Sequence, residues 1–318
     1  MAIYRHELES LVSWANQLQR KPLIIRGARQ VGKSTLVKLL AETANLNLAS
    51  LNFERQPELA ELFTSNNPEK ILQFLQLQIQ QPIIPGKSLL FLDEIQVAAN
   101  ILLPALRYFY EEMPNLHVIA AGSLLDFALA DANFPMPVGR IEYLFLGPLR
   151  FEEFILALGE QPLNDFLNNY QLGDELPTTI HQHLMELLRS YMIIGGMPEA
   201  VAAFADKRAY SNADRIKHSI LNTYQDDFAK YSTPTHENRL RKVFNSLPAL
   251  VGNKLKYSHI SPDQKSTTLA KALENLCLAR VVYLVKHSAC NGLPLEAEVN
   301  EKIFKPLLLD GAAWHREK

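Results

Sequence analysis

The sequence predicts an α/β fold: a parallel sheet covered by helices on both faces, then a helical region and a winged-helix-like segment. Three observations carry that expectation. Short apolar runs alternate with helical periodicity over the first 150 residues. The glycine-bounded run Gly27-Ala28-Arg29-Gln30-Val31-Gly32-Lys33-Ser34 sits between a strand-like and a helix-like stretch. After Pro148 the periodicity turns mostly helical.

The elements follow in order. Leu8, Leu11, Val12 and Leu18 recur at helical spacing, predicting a first helix within residues 5–20. Residues 22–26 form a short apolar run and predict a buried strand. Behind the glycine run, Leu36, Leu39 and Leu40 share one helical face. Residues 47–53 alternate and predict a second strand, and residues 58–81 predict two helices. Within them, residues 75–80 alternate like a strand, yet Ile71, Leu72, Leu75 and Ile79 also fit a helix. Helix is favoured, because a strand there would break the αβ alternation. Residues 88–94 are an apolar strand ending in two acids, 102–113 a helix, 116–121 a fourth strand and 143–146 a fifth. Residues 150 to about 245 are helical, interrupted at Gly195-Gly196 and Pro198. Residues 257–285 read as a helix–turn–helix with a strand behind it, with Leu269, Leu273, Leu276 and Cys277 on one face. The predicted divisions are 1–155, 156–245, 246–306 and a tail at 307–318.

Composition bounds the function. The 318 residues suffice for two domains. Lys+Arg 32 against Asp+Glu 34 gives a net charge of -2, so the composition shows no global pull toward nucleic acid or membrane and leaves a local basic face open. Two cysteines, Cys277 and Cys290, supply no disulfide framework and suit a reducing compartment. No apolar run approaches the ~18 residues of a membrane span, and the N-terminus has no signal-peptide core. A cytoplasmic protein is expected. The scattered histidines show no metal-ligand spacing, and no Ser-His-Asp or Cys-His constellation stands out.

The chemistry concentrates in the glycine run. Strand, glycine loop and helix is the context of a phosphate-binding loop, whose backbone N–H groups wrap phosphates at a helix N-terminus. Residues Gly27, Ala28, Arg29, Gln30, Val31, Gly32, Lys33, Ser34 and Thr35 form the predicted nucleotide site. Lys33 would reach the β- and γ-phosphates and Ser34 would hold Mg²⁺. Arg29 could contact phosphate or point to solvent; solvent is favoured. Asp93 and Glu94 close the third strand. Asp93 would bind Mg²⁺ through water, and Glu94 would orient or deprotonate the attacking water. Ser123 either senses the γ-phosphate or caps the helix that follows it. Arg140 would reach a γ-phosphate, in its own subunit or a neighbour's, or form a salt bridge at the sheet edge. Ser258, Lys265, Ser266, Thr267, Thr268 and Lys271 lie around the start of the last helix, where a recognition helix meets DNA. Asp263 and Glu274 oppose that basic content, so packing or protein contact is the competing use.

These residues together resemble the prokaryotic AAA+ ATPases that carry an N-terminal AAA module and a C-terminal domain of unknown function related to nucleases. The signatures are residues 24–35, with the Arg29-Gln30-Val31-Gly32-Lys33-Ser34-Thr35 core; 89–96, ending Asp93-Glu94-Ile95-Gln96; 121–125; 139–143; 148–154; and Gly195-Gly196-Met197-Pro198-Glu199. The resemblance implies a sheet of order 5-1-4-3-2, a helical subdomain, a winged helix, and ATP with Mg²⁺ as ligands. In that family a segment like Lys302-Ile303-Phe304-Lys305 leads into a strand and then a nuclease-like module. Here the expectation is a shortened member with an irregular tail and no nuclease activity. An ATP hydrolase coupling its cycle to movement of the helical and winged-helix parts is expected first. A nucleotide-gated module for DNA or a protein partner, including another copy of the chain, comes second.

Overall fold

The structure is a computed structural model that describes residues 3–130, 136–230 and 234–312. The chain divides into two compact units, Met1–Gly147 and Pro148–Lys318.

The first unit runs α1 (Glu7–Ala15), β1 (Leu23–Arg26), α2 (Lys33–Thr43), β2 (Asn47–Asn52), a 3₁₀ turn (Pro57–Phe63), α3 (Pro68–Ile79), β3 (Ser88–Asp93), a second 3₁₀ turn (Ile95–Ala98), α4 (Ala99–Glu112), β4 (His117–Gly122), α5 (Leu125–Ala130) and β5 (Glu142–Phe145). All five strands are parallel, in the order β2-β3-β4-β1-β5. Read from the other edge this is 5-1-4-3-2, as expected. Every residue of β4 and all but the last of β3 are buried, as befits strands covered on both faces. One core gathers Ile24, Leu90, Leu92 and Val118 from the sheet with Leu75, Leu102 and Phe109 from the helices.

The ambiguous stretch is α3. Ile71, Leu72 and Leu75 are buried while Leu77 is 70% exposed, so the alternation was incidental and the 3.6-residue period carried the fold. Asn67 caps that helix by accepting from the Lys70 N–H at 3.0 Å. Of the two helices predicted over 58–81, the first is the short 3₁₀ turn.

Edge strand β5 exposes Tyr143 and Phe145 on one face. The Arg26 guanidinium lies over both rings, 5.2 and 5.3 Å from their centroids, and ion-pairs with Asp126. Within this unit His117 sits between two backbone carbonyls, with Nδ1 3.2 Å from Ser88 O and Nε2 3.0 Å from Ala15 O.

The second unit holds α6 (Phe151–Ala157), α7 (Gln161–Asn169), α8 (Thr178–Ile194), α9 (Pro198–Lys207), α10 (Tyr210–Asp227), α11 (Pro234–Ser246), α12 (Tyr257–Ile260), α13 (Ser266–Leu278) and the antiparallel pair β6 (Val282–Ser288) and β7 (Val299–Leu308). Buried Glu153 caps α6 by accepting from the Arg150 N–H at 2.7 Å. Phe154 stacks on Phe204 and meets Tyr191, joining α6, α8 and α9. Helix α13 buries Leu269, Leu273 and Leu276, the face predicted for it.

Gly195-Gly196 is more than a helix stop. Gly195 ends α8 at φ 84. A Cβ on Gly196 would lie 2.3 Å from Leu149 O, so only glycine permits the 2.7 Å bond from the Leu149 N–H to Gly196 O. The Asp310 carboxylate accepts from the N–H groups of Gly196 at 2.9 Å and Met197 at 3.2 Å. The irregular tail expected at 307–318 is therefore corrected in its first residues. Leu307 and Leu308 complete β7, and Asp310 is buried against the turn; residues 313–318 lie outside the described residues. No described helix is long and apolar enough to cross a membrane.

Candidate functional site

The loop after β1 is built on backbone that only certain residues tolerate. Gly32 has φ 95 and forms the N-cap of α2, and Gln30 has φ 64. A Cβ on Gly27 would stand 2.2 Å from Leu146 O. Ala28 and Val31 are fully buried and carry no polar side chain, so the backbone is their only polar part. The N–H groups opening α2 lack intrahelical partners, and the helix dipole places partial positive charge there.

Lys33 is the buried cation of this loop. Its Nζ donates to Gly27 O at 3.0 Å and Ala28 O at 2.8 Å. Burial brings its pKa down to about 8, against the pull of Glu94 and Asp93 and with a further push from Arg29. Ser34 Oγ donates to Asp93 Oδ2 at 2.9 Å, tying α2 to the end of β3. Burial raises the Asp93 carboxyl above the ordinary carboxylate range, and the Ser34 hydrogen bond opposes that shift. Thr35 follows on the exposed side of the first helical turn.

Glu94 stands at φ 56, a left-handed conformation that a non-glycine residue adopts at a cost of ~1–2 kcal/mol. Its Oε2 accepts from Ser123 Oγ at 3.2 Å and Gln96 Nε2 at 2.6 Å. Register explains the meeting, because Asp93 pairs with Ala121 across β3 and β4, so both strands deliver these residues to one end. Ser123 thus meets the site through Glu94.

The two arginines singled out in the sequence lie apart. Arg29 ion-pairs with the Glu54 carboxylate at 3.2 Å, an exposed contact beside the loop. Arg140 is not brought to the loop. Glu142, two residues later, pairs with Leu23 at the start of β1, whereas the loop leaves β1 after Arg26. At least ~10 Å of strand separates those levels. Arg140 Nε instead donates to Glu111 Oε1 of α4 at 2.9 Å. The expectation that Arg140 serves its own subunit's phosphate is therefore corrected, and the edge salt bridge is present.

Sequence reasoning gave no role to Gln96, Gly122 or Arg5. Arg5 is buried and donates to Val31 O and Gly147 O, both at 2.9 Å, bracing the loop from outside. A lone arginine ahead of a helix carries no signal of that use.

The donor set suits a magnesium nucleotide. Ser34 and Asp93 present hard oxygens that already converge, as a cation sharing its shell with phosphates and water requires. Among the described residues no group of three His, Cys, Asp or Glu side chains could cage a metal by itself.

Comparison with known proteins bears on the fold and the order of domains. The family model of an AAA domain matches residues 19–155, and that of a domain of unknown function (DUF8612) matches residues 185–314. No curated protein matches the chain. Among solved structures, the ORC2 protein of Aeropyrum pernix, in ADPNP–ADP complexes, is 14% identical with TM-score 0.52, covering 90% of this chain and 88% of that one. The RuvB Holliday junction branch migration motor of Thermotoga maritima is 14% identical with TM-score 0.39, over 88% of this chain and 89% of its own. The likeness to ORC2 concerns the fold. The two family matches thus give the chain an N-terminal AAA domain followed by a C-terminal domain of unknown function.

Proposed function

We propose that this protein hydrolyses ATP with Mg²⁺ and uses the nucleotide state to move its helical and C-terminal regions. The observation that carries this is the Ser34–Asp93 hydrogen bond of 2.9 Å, which joins the phosphate loop to a paired-acid strand end with Glu94 alongside. Phosphates would seat on the loop N–H groups from Gly27 to Thr35, and Lys33 would exchange its two carbonyl partners for phosphate oxygens. Ser34 and Asp93 would hold Mg²⁺, which when bound neutralises charge developing on the transferred phosphoryl group. Glu94 would orient the attacking water and take its proton. The choice of ATP over GTP rests on the family. Arg140, exposed at the opposite end of the sheet, suits a neighbour's γ-phosphate in a homo-oligomer.

Phosphate release by the parent, Lys33→Ala and Glu94→Gln tests this. Turnover is expected in the parent. In Lys33→Ala both ATP binding and turnover should be lost. Glu94→Gln should keep ATP affinity while turnover falls by ~10²–10⁴, the usual weight of a general base. A parent that binds ATP without releasing phosphate would sink the hydrolase reading.

A nucleotide-gated DNA-binding module is the second reading, supported by α12, α13 and the β6–β7 pair, which together suit a winged helix. Lys254, Lys256, Lys265 and Lys271 are exposed around the start of α13. Duplex binding that weakens steeply with salt and changes with nucleotide would favour it.

A further inference from the structure

We propose that Gln96 is the positioning residue for Glu94, and that Gly122 is glycine in order to admit it; this rests on the hydrolase reading above. Gln96 lies in the 3₁₀ turn directly behind Glu94. That tight turn, entered through the left-handed Glu94, folds the Gln96 side chain back onto the carboxylate. Gln96 Nε2 donates to Glu94 Oε2 at 2.6 Å, the closest of the contacts made to that oxygen. Ser123 Oγ reaches the same oxygen at 3.2 Å and the Ser123 N–H at 3.4 Å. All three donors converge on Oε2, so Oε1 is the oxygen left for a water.

The far end of the amide fixes the argument. Gln96 Oε1 is buried and has no hydrogen-bond partner among the described residues. A flipped amide would set that oxygen against the carboxylate, so electrostatics select the observed orientation. The unpartnered oxygen is packed against the end of β4, where a Cβ on Gly122 would stand 2.4 Å from it. No left-handed backbone explains Gly122, whose φ is not positive. Its missing side chain is what leaves room for Gln96. Two separate sequence signatures, residues 89–96 and 121–125, thus interlock at one carboxylate.

The test is a double-mutant cycle on Gln96→Ala and Gly122→Ala, read by kcat and KM for ATP. Gln96→Ala should lower kcat by ~10–100-fold, the scale of a misplaced catalytic group, with KM unchanged. Gly122→Ala should do the same in the parent by crowding the amide. In the Gln96→Ala background it should cost little more, because the space is then free. A Gln96→Ala variant with parental kcat, or fully additive losses, would overturn the proposal. A second readout does not depend on turnover. The Gln96 side-chain amide proton, identified by its loss in Gln96→Ala, should resonate well downfield and return to the ordinary amide position in Glu94→Ala. If the parent shows no turnover but that resonance moves, the hydrolase reading fails and the held carboxylate stands. If the resonance is ordinary and indifferent to Glu94→Ala, positioning is refuted whatever the turnover.

Discussion

At the residue scale, three steric facts shape the site. Gly27, Gly32 and Gly122 lie within a few residues of Lys33 or Glu94 in space or sequence, but for different reasons. Gly32 supplies a left-handed cap at φ 95, Gly27 lets the loop pass where a Cβ would stand 2.2 Å from Leu146 O, and Gly122 clears the Gln96 amide. Gly27→Ala therefore has to push backbone rather than a flexible side chain. It should cost ~1–3 kcal/mol by denaturant unfolding, as overpacking does, and should abolish ATP binding by calorimetry. Retained affinity would mean that the loop relaxes around the methyl group. Lys33 shows the opposite economy: a buried ammonium with a pKa near 8 is costly to desolvate, and two loop carbonyls keep it satisfied.

At the element scale, His117 links the start of β4 to α1 and β3 through two carbonyl contacts. A neutral imidazole has one N–H and can serve only one of them. Burial, helped by the Arg20 charge, holds its pKa below the ordinary value, against the carbonyls' preference for the charged ring. The unfolded chain thus binds this proton more readily, so stability rises with pH between the folded pKa and the unfolded value of ~6.5. The unfolding free energy, read by denaturant titration, should fall as pH drops from ~6.5, with a slope from this group of at most ~1.4 kcal/mol per pH unit. His117→Gln should remove that component. A pH profile unchanged by the substitution would place the acid sensitivity elsewhere. The 3₁₀ turn Ile95–Ala98 is the other element whose geometry matters, because it returns Gln96 to the residue before it.

At the scale of the whole molecule, Arg140 decides what assembly would mean. It lies beyond the entry end of β5 and pairs with Glu111, so its own phosphate loop is at the far end of the strands. If it acts on a neighbour, Lys33→Ala and Arg140→Ala should each lose turnover alone. Mixing the two should restore part of it, because a Lys33→Ala copy lends its arginine to the intact loop of an Arg140→Ala copy. No recovery on mixing, under conditions where both variants associate, would confine Arg140 to its salt bridge. The second unit is organised around the Gly195-Gly196 turn, held by Asp310 from over a hundred residues away in sequence.

The sequence by itself determined the alternation of strands and helices, the phosphate loop and the paired acids at the end of β3. Each of these is a local pattern: hydrophobic period, glycine spacing, an acid after an apolar run. Even the misleading alternation at Leu75, Leu77 and Ile79 resolved correctly once the αβ order was weighed. Tertiary structure alone decided what depends on register and distance. It set Arg140 at the wrong end of the sheet for its own loop, gave Arg29 to Glu54, drew Leu307, Leu308 and Asp310 out of an expected tail, and brought Gln96, Gly122 and Ser123 around Glu94. The physical reason is common to all four. A side chain's identity is written in the chain, but its partner is fixed by which strand ends the sheet brings level, and that pairing is non-local.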